Sequence, residues 1–297
     1  MPYSRRLNNL RLLVARGLAA LALATAGVAH AEPALWVVKD DDSTLYLFGA
    51  IHVLKPDADW RSPRFDAAFY SAAHLVLEVE NPEDQAALMP LIQQHGLSPD
   101  RPLSALLSPE DLARLDDAAR SLGLTATQLD PMRPWLASLS LSVAPLARAG
   151  YQPASGVEPI LRAHAQSGGV PISGLETLDQ QVRLLAGFPE DGQLAYLRRT
   201  LGDYASGAAA LDRLVAAWLA GDVDEIAAIG VGSMRDAGER VYQALLVERN
   251  RAWAEQILTM LEGSGIAFIA VGALHLAGED SLQVMLERRD VRVERLH

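Results

Sequence analysis

Two histidines, His52 and His275, each close the same short pattern near opposite ends of the chain. An apolar run is followed by Gly, two small or apolar residues and His: TLYLFGAIH in the first case, AFIAVGALH in the second. A Gly at the end of a buried strand permits close backbone approach or a positive φ. Neutral imidazole is a common ligand of transition metals. If both runs are strands of one sheet, both imidazoles stand at its edge, where α/β sheets hold their sites. Either His alone could equally be a hydrogen-bonded core or rim residue; the pairing is what points to a metal.

Carboxylates would complete such a site. Glu78 lies in HLVLEVE, an otherwise apolar run, where an ionised side chain is costly unless paired with Arg or bound to a cation. Glu80, two residues on, shares its face but lies nearer the strand exit and reads as solvated. Glu176 in GLET either reaches the same site or opens the next helix, favourably placed against its dipole. Glu158 in SGVEP sits in a first helical turn, where acids are ordinarily structural, and is left outside the candidate set. Arg249 and Asn250 interrupt the amphipathic helix LLVERNRAWAEQI. Asn is a poor helix-interior residue, so it asks for a partner, and Arg could hold an oxyanion or a substrate carboxylate. The alternative for this pair is a solvated charged face. His74, His95 and His164 read as surface or helix residues.

Several chemistries are excluded. The chain contains no Cys, which removes thiolate ligands, Cys nucleophiles, disulfides and a lipid-anchoring Cys. It has no His-Glu-x-x-His helix, Gly-x-Ser-x-Gly elbow or Gly-x-Gly-x-x-Gly turn. Its only lysines, Lys39 and Lys55, do not belong to a phosphate loop.

The elements that must position these residues are punctuated clearly. The stretch from Ala34 to His52 reads as a β-hairpin around an Asp-rich turn. A helix follows at SPRFDAAFYSAA, with Ser62 as N-cap and Pro63 in the first turn. HLVLEVE predicts a central strand. The middle is mostly helical: SPEDLARLDDAARSLG, then stretches around 133–148, 157–167, 190–205 and 208–219, with a short strand in GVPISGLET. From GSMRD to LTMLEG the pattern predicts a loop and one long helix. IAFIAVGALH, a helix near EDSLQVMLERR and an edge strand VRVERL close the chain. Strands at both ends with helices between them predict an α/β fold, with α+β as the variant. Its central mixed sheet is completed by both ends of the chain and carries a large helical insertion.

Residues 1–31 have the features of a secretory signal peptide: four Arg, an apolar run GLAALALATAGVA and AHA before Glu32. The expected product is a single domain, 32–297, exported and bound for the periplasm, with no membrane span. Losing four Arg and no acid takes the formal charge from -11 to -15. Such a surface repels phosphate backbones, so nucleic acid is not an expected partner.

LYLFGAIHVLKPDADWRSP, LVLEVE, GVEPILRAHAQSGGVPISGLETLDQQ, ERNRAWAEQI and IAVGALHLAGEDSL together resemble the TraB/GumN family, related to PrgY and the Tiki metalloproteases. The resemblance runs from about Ala34 to Leu296. It implies a fold shared with Tiki proteins and, more distantly, with erythromycin esterases and haem-related ChaN proteins. It also implies a divalent-metal-dependent hydrolase, acting on a peptide or small molecule, with Mn, Co or Zn as the ion. Carried over by motif, His52, Glu78 and His275 are the implied metal ligands. Glu176, Arg249 and Asn250 are the implied catalytic residues. Glu158 departs from the Asp of many relatives. A ligand-, peptide- or haem/iron-binding protein without turnover is the alternative function.

Overall fold

The hairpin expected from the sequence forms first in the chain, from β1 (Leu35–Lys39) and β2 (Ser43–Ala50), with Trp36 opposite Leu47. Its turn is held by Asp40, whose carboxylate accepts from the backbone N–H groups of Asp42 and Ser43. The computed structural model describes residues 32–297, which form one compact unit. The expected signal segment lies outside the described residues.

β2 pairs in parallel along its whole length with β5 (Gly265–Gly272), from Ser43 opposite Gly265 to Ala50 opposite Gly272. β5 pairs in parallel with β3 (His74–Val79), and β3 in parallel with β4 (Ile172–Glu176). The terminal strand β6 (Val293–Leu296) lies antiparallel on β1 at the edge. The resulting order is β4-β3-β5-β2-β1-β6. This is a mixed α/β sheet built by both ends of the chain, as the sequence predicts. The last third of the chain inserts β5 between β2 and β3. That crossover sends four neighbouring strands in one direction and brings their carboxyl ends to one edge.

Burial on both faces explains why β2, β3 and β5 read as nearly continuous apolar runs. Phe48 and Phe268, neighbours on β2 and β5, pack with Trp60, Phe65 and Trp218. The helical middle adds cores of its own. Leu103, Leu115, Leu141 and Leu197 form one, and Trp135 and Val182 anchor another. Helix Pro63–Ser71 starts at Ser62, whose side chain accepts from the Phe65 N–H, with Pro63 in its first turn.

Two expectations are corrected. Of the segment read as a loop and one long helix, the long helix forms, continuous over 239–261 through a π turn, but GSMRD, read as loop, is a short helix of its own, Gly232–Asp236. Wide π turns occupy Ala227–Val231 and Gln243–Val247. His275 stands on a 3-10 turn, Ala273–Leu276, rather than on the strand itself. Among the described residues no helix is long and apolar enough to cross a membrane.

The end of β2 is fixed from outside the sheet, because the buried Trp218 indole N–H donates to the Gly49 carbonyl at 2.7 Å. Trp218→Phe leaves that carbonyl without this donor, a cost of about 1–3 kcal/mol. The expected outcome is a lower urea midpoint with an unchanged slope.

Candidate active site at the ends of four parallel strands

Each of the four parallel strands delivers one functional residue to the same edge. His52 follows β2, Glu78 is the penultimate residue of β3, Glu176 ends β4, and His275 lies just beyond β5. In open α/β sheets this edge is where ligands bind. A Cβ placed on Gly272 would stand 3.1 Å from Glu78 Oε1, 3.3 Å from His52 Nε2 and 3.7 Å from His275 Cδ2. Gly272 therefore leaves open the space on which these three side chains converge.

Helix Glu248–Leu261 contributes the remaining parts. Arg249 donates from Nη2 to Glu78 Oε2 at 2.7 Å and to Glu176 Oε1 at 2.5 Å, and from Nε to Glu176 Oε2 at 3.2 Å. Its Nη1 donates to His275 Nε2 at 3.0 Å, and the guanidinium lies over the Trp253 ring. Gln181 donates to both carboxylates. The solvated charged face weighed for Arg249 and Asn250 is thereby corrected. Arg249 faces two buried acids, and Asn250 is fully buried.

Asn250 also fixes the state of His275. Its amide Nδ2 donates to the carbonyls of His275 and Asp280, so its Oδ1 is the acceptor facing His275 Nδ1 at 2.6 Å. His275 then carries its proton on Nδ1. Nε2 is the lone pair, which is why it accepts from Arg249. Burial holds the imidazole down at about 3, so it stays neutral through the physiological range.

His52 is held differently. Its Nδ1 is 2.5 Å from Glu158 Oε1, and its side chain is 65% exposed. Glu158 is thus a site residue that the sequence reading set aside as structural. Gly156 brings it there: it packs so closely on the His52 carbonyl that a side chain would collide, and the Val157 N–H donates to the Ile51 carbonyl. The Glu158 charge raises His52 to about 9, making it a donor at both nitrogens at neutral pH. Burial opposes the charge on Glu78, but Arg249, the charged His52 and the Gly272 N–H outweigh it and hold the carboxyl well below the usual carboxylate range. Glu80, by contrast, is exposed.

Imidazoles and a carboxylate are donor types that divalent transition metals accept. Both imidazoles turn Nδ1 to an oxygen acceptor, as metal-binding histidines do; His52 then faces the space beside Gly272 with Nε2, and His275 with its Cδ2 edge. Glu78 Oε1 lies 3.9 Å from His275 Nε2. As the side chains stand, no three His, Asp or Glu among the described residues are drawn together around one point as a ligand group. The reason is visible: Arg249 takes the His275 lone pair and supplies the charge that Glu78 requires.

Because the folded pKa of His52 is raised, stability from its pair with Glu158 is complete below about pH 6.5 and is lost as pH rises through about 9. Glu158→Gln is expected to return His52 toward its ordinary range while leaving His275 neutral. Imidazole 15N chemical shifts followed through a pH titration read both groups separately.

The sequence model of the TraB/PrgY/gumN family matches residues 34–295. The chain is 24% identical over 256 residues to the "Uncharacterized protein YbaP" of Escherichia coli (strain K12), covering 86% of this chain and 92% of that one. An "Uncharacterized protein" of Treponema pallidum (strain Nichols) is 22% identical over 276 residues, covering 88% and 82%. No solved structure gives a significant match.

Proposed function

The chain belongs to the TraB/PrgY/gumN family, and from that premise and the geometry of its site we propose that it is a metal-dependent hydrolase of amide bonds. One observation carries this reading. The two histidines are oriented through Nδ1 by Glu158 and Asn250, so that His52 Nε2, Glu78 Oε1 and the Cδ2 edge of His275 border the space kept open by Gly272, with His275 Nε2 3.9 Å from that Glu78 oxygen. His52, His275 and Glu78 would hold the ion. Mn, Co and Zn all accept mixed imidazole and carboxylate ligation. When bound, the ion supplies Lewis acidity toward a carbonyl oxygen and toward water.

The chain's own residues do the rest. Glu158 and Asn250 act as positioning residues for the two imidazoles. Arg249 carries the positive charge best placed to receive a developing oxyanion. Glu176, with both oxygens on Arg249 and a further bond from Gln181, orients that guanidinium and is poorly placed to be a base. The Glu78 carboxylate is the proton acceptor bordering the same space, since His52 carries a proton on each nitrogen at neutral pH. A cation held by His52 would take the place of its proton, so retention would strengthen as pH rises. The proposed setting is the periplasm, after loss of residues 1–31. The expected cleavage point, after AHA, lies immediately before Glu32.

Metal analysis of the purified protein tests the reading, alongside turnover of quenched fluorescent peptides. The expected result is about one divalent ion per chain. His52→Ala and His275→Ala should each lose it. Arg249→Met should retain the ion but lose about 100-fold or more in kcat. A protein that binds no ion after reconstitution with Mn, Co or Zn, or that holds its ion without either histidine, would contradict the proposal.

A further inference from the structure

His52 and Glu78 form a partition between two cavities of similar size, both largely apolar, of which the first carries more charged side chains. These are the only residues that line both. The first cavity, about 320 Å³, presents Glu83, Glu158, Arg162 and Gln181 among prolines. The second, about 330 Å³, reaches from Arg249, Gly272 and His275 to a wall of Val53, Leu211, Leu214, Met234, Leu245 and Leu274. A substrate bond held at the partition has room for one flank in each cavity.

Leu214, Met234 and Leu274 of this wall pack against the main core, and Val53, Leu211 and Leu245 extend it outward. All six side chains are only partly buried, and they come from five separate places in the chain. Val53 follows His52, and Leu211 and Leu214 lie on helix Gly207–Leu219. Met234 is on the short helix after the first π turn, Leu245 is inside the second π turn, and Leu274 is next to His275. Leu274 lies flat on Gly230, which has no side chain to push it away. The two widened turns thus set apolar residues around a hollow beside the chemical groups, where a regular helix would follow another path. Arg249 at its rim is committed to Glu78, Glu176 and His275, so the wall itself presents no free charge to an incoming group.

We propose that this apolar cavity is a specificity pocket for one large apolar side chain of the substrate, of the size of Leu, Met or Phe, directly flanking the bond that is cleaved. The inference rests on the hydrolase reading for the word cleaved, but not for the binding of the side chain. Burying such a side chain removes apolar area from water on both partners. A small or charged residue gains nothing from this wall, and a charged one loses hydration.

Met234 provides a probe in the wall. In protein labelled with 13C at the methionine methyl groups, its resonance is assigned by its loss in Met234→Leu. It is then followed during titration with N-acetyl-leucinamide and N-acetyl-phenylalaninamide, with N-acetyl-glycinamide and N-acetyl-glutamamide as controls. The expected result is a saturable shift with the two apolar amides and none with the controls, weakened about tenfold in Leu214→Gln and in Leu211→Gln. Using two variants guards against one that fails to fold. No shift with the apolar amides, or an equal shift with N-acetyl-glycinamide, would overturn the pocket. Peptide turnover judges the two ideas separately. Cleavage favouring large apolar residues beside the bond supports both, and cleavage indifferent to that residue overturns the pocket alone. A Met234 shift with no cleavage in any peptide leaves the pocket standing and removes the hydrolase.

Discussion

An ionised carboxylate buried at the end of an apolar strand is the constraint around which this site is built. Glu78 keeps its charge only because one oxygen accepts from the Gly272 N–H and the other from Arg249. Arg249 is shared with Glu176, and Gln181 bonds both acids. Removing the guanidinium would set two buried carboxylates against each other, a loss of the order of 3–5 kcal/mol for a broken buried pair. Much of the local sequence answers to this arrangement. Gly272 leaves the space open, Trp253 supports the guanidinium, and Asn250, the next residue on the helix, turns His275 to face it.

The topology makes that arrangement possible. β2 and β3 follow one another in the chain but do not touch, because β5 arrives from the far end of the sequence and lies between them. His275 therefore comes to the same edge as His52 and Glu78, with the paired glycines offset by one residue, Gly49 being opposite Val271. That offset and the 3-10 turn after β5 let two similar motifs take different roles. His275 is buried and neutral against Asn250, whereas His52 is largely exposed and charged against Glu158. Similar sequences reach opposite protonation states because burial and a carboxylate partner act in opposite directions on an imidazole.

What was legible in the sequence divides along physical lines. The hairpin, the interior strands and the helix starts followed from apolar runs and from caps such as Ser62-Pro63, which are local signals. His52, Glu78 and His275 stood out because each is a polar residue where an apolar strand ends. Asn250 was visible as a helix misfit, but a helical pattern alone could not show that its face turns inward. Glu158 was missed because an acid in a first helical turn is ordinary. Its only hint was Gly156 two residues earlier, needed for close approach to the His52 carbonyl. The π turns left no periodic trace, and the helix was read through them. Gln181 and Trp218 act across the fold, through contacts that no local pattern encodes.

The proposed function requires that His52, Glu78 and His275 share one ion. Anomalous diffraction from crystals of the protein grown with Zn, Co or Mn would show this directly. The account predicts one peak bonded to Nε2 of both His52 and His275 and to a Glu78 oxygen, with Arg249 withdrawn from His275. A peak at another location, or Arg249 still seated on His275 in the presence of excess ion, would contradict it.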